Sequence, residues 1–229
     1  MASEVALTVV ERPSGRRREA LVRRAKLLAW LGVVWHGVEA AVAVVAGLAA
    51  GSIALVGFGA DSLIESVAGF VLLWRFAASR AASESSERRA QQVIAVSFFV
   101  LAAYVGFEAV RNLAGGDHPD ASVVGIALSV FTLLTMPPLA IAKGRVGEQL
   151  GSSATKSEGR QNMLCAYLSA ALLVGLSANA VLGWWWADPA TAIVIAAVAV
   201  REGREAWRGE SCCSAPVAVA DGRSDACCD

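Results

Sequence analysis

"GFGADSLIES", residues 57–66, stands between the apolar runs "AVAVVAGLAAGSIALV" at 41–56 and "VAGFVLLWRF" at 67–76. The surroundings read as membrane-spanning, and Asp61 and Glu65 lie in the middle of them. An aspartate at the centre of a membrane helix costs about 2.5–3.5 kcal/mol on the insertion scale, so its presence asks for a partner. Residues four apart share one face of a helix, which puts both carboxylates on the same stripe. Two carboxylates that close cannot both ionise cheaply in a low dielectric. A bound divalent cation or a shared proton removes the conflict; a hydrogen-bonded pair with Ser62 and Ser66 is the plainer alternative.

Working outward, the same apolar character fills most of the chain. Of 229 residues, 56% are hydrophobic, with mean hydropathy +0.54, more apolar surface than a soluble domain of this length can use. Six spans are expected, at 27–49, 51–74, 91–113, 121–142, 163–182 and 184–200, the fourth kinked by Pro137 and Pro138 and the last short. The expected class is an all-α membrane protein, a six-transmembrane-helix bundle with both termini inside and no large cytoplasmic C-terminal domain. No internal repeat stands out. Dense Gly and Ala, as at Gly47 and Gly51 or Gly57 and Gly59, point to close helix packing.

The orientation comes from charge. Net charge is zero, yet every Lys and Arg except Arg111 falls in the segments 1–26, 75–90, 143–160 or beyond 200. Basic segments stay cytoplasmic, which places these four on the inside. The first span has no signal-peptide cleavage site and follows a long basic stretch, so an uncleaved plasma or inner membrane protein is expected. Residues 1–26 read as a basic cytoplasmic arm anchoring to anionic headgroups, 27–208 as the transmembrane domain, and 209–229 as a Cys-rich cytoplasmic tail.

Other spans offer polar groups. In "WHGVEA", His36 and Glu39 lie three apart; His36 suits a ligand or proton carrier as well as a packing role. Glu108 could line a cation pathway or pair with Arg111. Glu158, Asn162 and Cys165 form a stripe at i, i+4 and i+7, where Glu158 could also be solvated and Cys165 a small apolar filler. In the tail, Cys212, Cys213, Cys227 and Cys228 could give up to four thiolates for a soft metal, or be inert. Acidic groups spread over several helices suggest a cation pathway. No metal-protease, phosphate-loop or Ser-His-Asp pattern asks for an enzyme.

With these residues in view, the chain resembles the cation diffusion facilitator (cation efflux) family over about residues 27–208. The likeness is carried by "GSIALVGFGADSLIES" at the second helix and "GWWWADPATAIVIA" at the start of the sixth. The resemblance implies a six-helix exporter that moves divalent metals against protons, with Asp61 and Glu65 as second-helix metal ligands. The family's fifth-helix His-x-x-x-Asp, counted back from "WWWADP", falls on Asn162 and Ala166, and alanine cannot ligate. Replacements would come from Glu158, Cys165, Glu39 and His36. The expectation is therefore efflux of a zinc-like cation, with protons as the coupling ion and no permanently bound cofactor. The partners expected are metal ions and the bilayer, with a homodimer through transmembrane helices and no nucleic acid. The alternative is a non-transporting membrane metal-binding sensor or accessory protein that acts through the Cys-rich tail.

Overall fold

Long apolar stretches separated by Gly-Ser and Gly-Trp punctuation fold into helices that stop where glycine permits a left-handed turn. In the computed structural model, residues 15–77, 84–116 and 118–208 are described. They form six helices and, among the described residues, no strand: α1 (Gly15–Ala50), α2 (Ile53–Ala77), α3 (Glu84–Gly115), α4 (Val123–Leu150), α5 (Ser153–Leu182) and α6 (Ala187–Arg208). Five of them, α1 to α5, are long and apolar enough to cross a membrane. The apolar run of α6 ends at Arg201, so it is the short sixth member of the bundle.

Two expectations about the ends change. The fourth and fifth helices are longer than their apolar cores: α4 continues to Leu150 and α5 starts at Ser153, so the expected 143–160 loop is only a Gly151-Ser152 turn. The reason lies in the caps. Gly151 takes φ 63° and closes α4, and the Ser152 hydroxyl accepts the Thr155 amide to open α5. Likewise α1 begins at Gly15, so residues 15–26 are the first turns of a helix rather than a loose arm. Cys212, Cys213, Cys227 and Cys228 lie outside the described residues. Pro137 and Pro138 sit inside α4, which runs on as one helix past two carbonyls, at Leu133 and Leu134, that their rings leave without amide donors.

The helices pair as α1 with α2, α4 with α5, and α3 with α6. The first two pairs meet face to face through α1–α4 and α2–α5 contacts, and the α3–α6 pair packs on α2 and α5. Phe58, Leu55, Phe98, Val105, Met136, Leu172, Leu176 and Ile195 fill the centre.

A repeat absent from the sequence reading emerges from this packing. The turn Gly51-Ser52 joins α1 to α2 as Gly151-Ser152 joins α4 to α5, with Gly51 at φ 67° and Gly151 at φ 63°. The Ser52 amide donates to the Gly47 carbonyl and the Ser152 amide to the Gly147 carbonyl, each at 2.9 Å. Gly47 lies against the Val56 amide, and Gly147 against that of Lys156. Gly59 approaches the backbone of Val44, as Gly159 approaches that of Gly144. Three crossings, α2, α3 and α4, separate one turn from the other, so the turns face opposite ends of the bundle.

At the end carrying the α1–α2 turn, Asp188 of α6 is fully buried and accepts both the Ser52 hydroxyl and the Ala54 amide. It thereby tethers the start of α6 to the start of α2, which gives a structural role to the aspartate of "WWWADP". Trp184 and Trp186 stack nearby at 5.4 Å, in keeping with an aromatic interface belt.

Candidate metal centre

Helix rise alone brings the polar groups of α1, α2 and α5 to similar depth. Measured from the ends that face the α1–α2 turn, Glu39, Glu65, His36 and Cys165 lie about 16, 18, 21 and 25 Å down their helices. Small residues allow the approach: a side chain on Gly59 would strike Ala43 and Val44, and one on Gly69 would strike Val33.

There the structure brings together His36, Glu65 and Cys165, all buried, with one donor atom of each lying within 4.8 Å of the other two. Tetrahedral ligands about 2.0–2.3 Å from one ion stand about 3.3–3.8 Å apart, so closure onto a metal needs shifts of about 1 Å or less. An imidazole, a carboxylate and a thiol form a mixed donor set of the borderline kind that zinc accepts.

Glu39 holds this group in place. One of its oxygens, Oε2, accepts from the Ser62 hydroxyl at 3.0 Å, lies 3.2 Å from His36 Nδ1, and receives the Cys165 thiol at 3.8 Å. The other, Oε1, accepts from the Thr132 hydroxyl of α4. His36 Nδ1 is also 3.3 Å from Glu65 Oε2. One imidazole N–H cannot serve two carboxylates, and Glu65 Oε2 is a buried oxygen with no hydrogen-bond partner. A buried acceptor in that condition is costly unless a proton or a cation completes it.

Asp61 is buried one turn from Glu65 on α2, within electrostatic reach of Glu39 and of Glu202 on α6. The cluster thus draws acidic groups from three helices.

The other sequence candidates fall elsewhere. Asn162 and Glu158 do not join the His36 group. Asn162 accepts from Lys143 Nζ at 3.2 Å through Oδ1 and turns its amide to Met136 Sδ. Glu158 Oε2 lies 3.2 Å from the same ammonium. So Glu158 is paired inside the bundle and not solvated at its end. The residue count from "WWWADP" pointed to Asn162 and Ala166; the structure turns Cys165 toward Glu65 instead, one step and about 100° around the helix from Ala166. Glu108 pairs with Arg111 at 3.0 Å on α3 and is not in this group.

Three participants escaped the sequence reading. Thr132 gives no signal in "SVFTLLT" beyond one more hydroxyl. Lys143 reads as a loop residue because "MPPLAIAK" looks like the end of a span, although Met136 and Lys143 are seven apart and share a face. Glu202 was hidden among the arginines of the α6 end.

The comparisons with known proteins agree with this architecture. The chain is similar to a protein of Synechocystis sp. described as "Uncharacterized transporter sll1263", 26% identical over 151 residues, covering 62% of this chain and 49% of that protein. The chain therefore spans about half the length of that curated relative. The family model for the cation efflux transmembrane domain matches residues 29–208, nearly the whole helical bundle. The chain, a multi-pass integral membrane protein, belongs to the cation efflux family, a family of metal cation transporters.

Proposed function

We propose that the protein carries a zinc-like divalent cation out of the cytoplasm in exchange for protons, through a site made by His36, Glu65 and Cys165 with Asp61 beside them and Glu39 holding the set. The observation that carries this reading is the buried carboxylate of Glu65, whose Oε2 makes no hydrogen bond and which has donor atoms of an imidazole and a thiol within 4.8 Å. Imidazole, thiolate and carboxylate must all be free of protons to ligate, so metal binding weakens as pH falls and bound metal leaves as protons arrive. Proton uptake by Glu65, Asp61 or His36 then drives release on the outer side, and the empty site returns protonated. The transport site draws on α1, α2 and α5, so relative movement of the two hairpins opens it to one side or the other.

The test is the full-length protein in liposomes, followed by a pH dye inside and metal-dependent proton flux across zinc, cadmium, cobalt, manganese, iron and nickel. Flux with zinc or cadmium that disappears in Glu65→Gln supports the reading. Flux that survives Glu65→Gln at matched incorporation removes the site assignment.

A further inference from the structure

A lysine buried inside a membrane bundle needs a reason, and Lys143 is 3% exposed. It lies about 30 Å down α4 from the end facing the α1–α2 turn, deeper than His36, Glu65 and Cys165 and toward the Gly151-Ser152 turn. Its ammonium bonds Glu158 Oε2 and Asn162 Oδ1, each at 3.2 Å, both from α5. Space for it comes from α1: a side chain on Gly32 would stand 2.7 Å from Nζ. From α2, Gly69 faces Glu158 Oε1, a buried oxygen without a hydrogen-bond partner. Helices α1, α2, α4 and α5 therefore all border one ammonium. Lys143 is also close enough to Glu65 to act on its charge.

The two hairpins differ in charge. The α1–α2 hairpin brings Glu39, Asp61 and Glu65 to the centre; the α4–α5 hairpin brings Cys165, Asn162 and the Lys143–Glu158 pair. We propose that Lys143 is a tethered counter-cation of the carboxylate site, a residue that sets how tightly a divalent ion is held without ligating it. Its positive charge opposes that of the metal and lowers affinity, and Glu158 moderates its strength. A transport site must bind well enough to load and weakly enough to unload, and a fixed ammonium beside an acidic cluster provides that compromise. A like charge near the ion acts through Coulomb repulsion, which in a partly buried setting is large enough to move affinity by about tenfold.

The inference rests on the metal site proposed above, and the experiment separates the two. Zinc chloride is titrated calorimetrically into the full-length protein in phosphatidylcholine nanodiscs at one fixed pH, chosen where the parent's affinity no longer changes with pH so that protons do not compete for the carboxylates. Unsubstituted protein and the Glu65→Gln, Lys143→Gln, Lys143→Arg and Glu158→Gln variants are compared, with chromatographic profile and melting midpoint as folding controls. Lys143→Gln should bind zinc about tenfold more tightly, Glu158→Gln about tenfold more weakly, and Lys143→Arg within about threefold of the unsubstituted protein. The opposite signs matter. If the pair were only a structural clip, breaking it from either side would weaken binding alike.

Equal affinities in all the Lys143 and Glu158 variants, with Glu65→Gln non-binding, would overturn the role of Lys143 and leave the site intact. Shifts of Lys143→Gln and Glu158→Gln in the same direction would overturn it too. Absence of zinc binding by the unsubstituted protein would overturn the site and this inference together. Should Lys143→Gln not fold, Lys143→Met takes its place and must again bind zinc more tightly than the unsubstituted protein: unchanged or weaker binding in that variant overturns the proposal.

Discussion

Glu39 and Glu65 are both buried carboxylates beside His36, yet the structure gives them opposite duties, and a matched pair of substitutions separates those duties. In Glu39→Gln the shape is kept while an acceptor-only group becomes half donor. Glu39 now receives His36 Nδ1, the Ser62 hydroxyl and the Thr132 hydroxyl, with the Cys165 thiol at 3.8 Å. A glutamine can turn its carbonyl to only one side; with the carbonyl kept toward His36 and Ser62, its amide faces the Thr132 hydroxyl, which then accepts and loses the acceptor for its own proton. Leaving one buried donor unsatisfied costs about 1–3 kcal/mol, and losing charge assistance on the remaining bonds adds about 1 kcal/mol. Ser62 offsets a little, because its hydroxyl also reaches the Phe58 carbonyl at 3.1 Å. The sum is a destabilisation of about 2–4 kcal/mol. Glu65→Gln faces the other arithmetic: Oε2 makes no hydrogen bond and loses only its 3.3 Å contact with His36 Nδ1, which keeps Glu39, while a neutral side chain escapes repulsion from Asp61 and Glu39. That variant should be as stable as the parent, within about 0.5 kcal/mol, or more so, while losing zinc binding. Thermal unfolding in detergent, read alongside zinc titration, checks both. A Glu65→Gln protein less stable than Glu39→Gln, or one that binds zinc as the parent does, would refute the division of labour.

Other expectations follow from the same geometry. Cys165→Ser replaces a soft sulfur by a hard oxygen, so cadmium affinity should fall by about tenfold or more relative to manganese, measured by competition titration. Gly47→Val and Gly147→Val each drive a side chain into backbone about 2.8–2.9 Å away, at Val56 and Lys156; each should cost about 1–3 kcal/mol or prevent folding, visible as a lower melting midpoint. Asp188→Ala removes the acceptor for Ser52 and the Ala54 amide, both buried, and should cost about 2–4 kcal/mol without changing zinc affinity at the central site by more than about threefold. Zinc binding should also weaken as pH falls, because protonation removes the lone pairs that ligate; affinity independent of pH between acid and neutral would contradict ligation by carboxylate, imidazole and thiol.

Much of the bundle was legible because bilayer thickness imposes a length that apolar runs display openly. Asp61 and Glu65 were legible for the opposite reason: charge inside such a run is rare and expensive. What failed to show was anything decided by contact between helices. Nothing in "WHGVEA" says that Glu39 reaches Thr132 on α4, since that bond depends on how α1 crosses α4. The choice between Cys165 and Ala166 turns on about 100° of rotation, which a count from a distant motif cannot resolve. Helix ends are hidden where polar residues extend a helix past its apolar core, as in α4 and α5. Thus Lys143 and Glu158 were taken from a loop to the interior, where each is the other's partner.

The repeat shows why these failures share one cause. The polar and glycine matches between the hairpins fall where backbones touch or turn: Gly47 and Gly147, Gly51 and Gly151, Ser52 and Ser152, Gly59 and Gly159. Elsewhere only scattered Ala and Leu coincide, as at Ala40 and Ala140 or Leu72 and Leu172, so the likeness falls below what a sequence comparison by eye detects. Close approach tolerates only glycine, whereas the polar interior needs no such uniformity. If the two halves carried the same chemistry, the centre would hold two sets of buried carboxylates with nothing to balance them. Instead, the place of Glu65 in the first hairpin is taken by Cys165 in the second, and that of Ala43 by Lys143. The backbone repeat gives the bundle two equivalent hairpins that pack in opposite directions. Divergence at the polar positions leaves one acidic face, one thiol and one ammonium, an arrangement able to hold a divalent ion at lower electrostatic cost than two acidic halves.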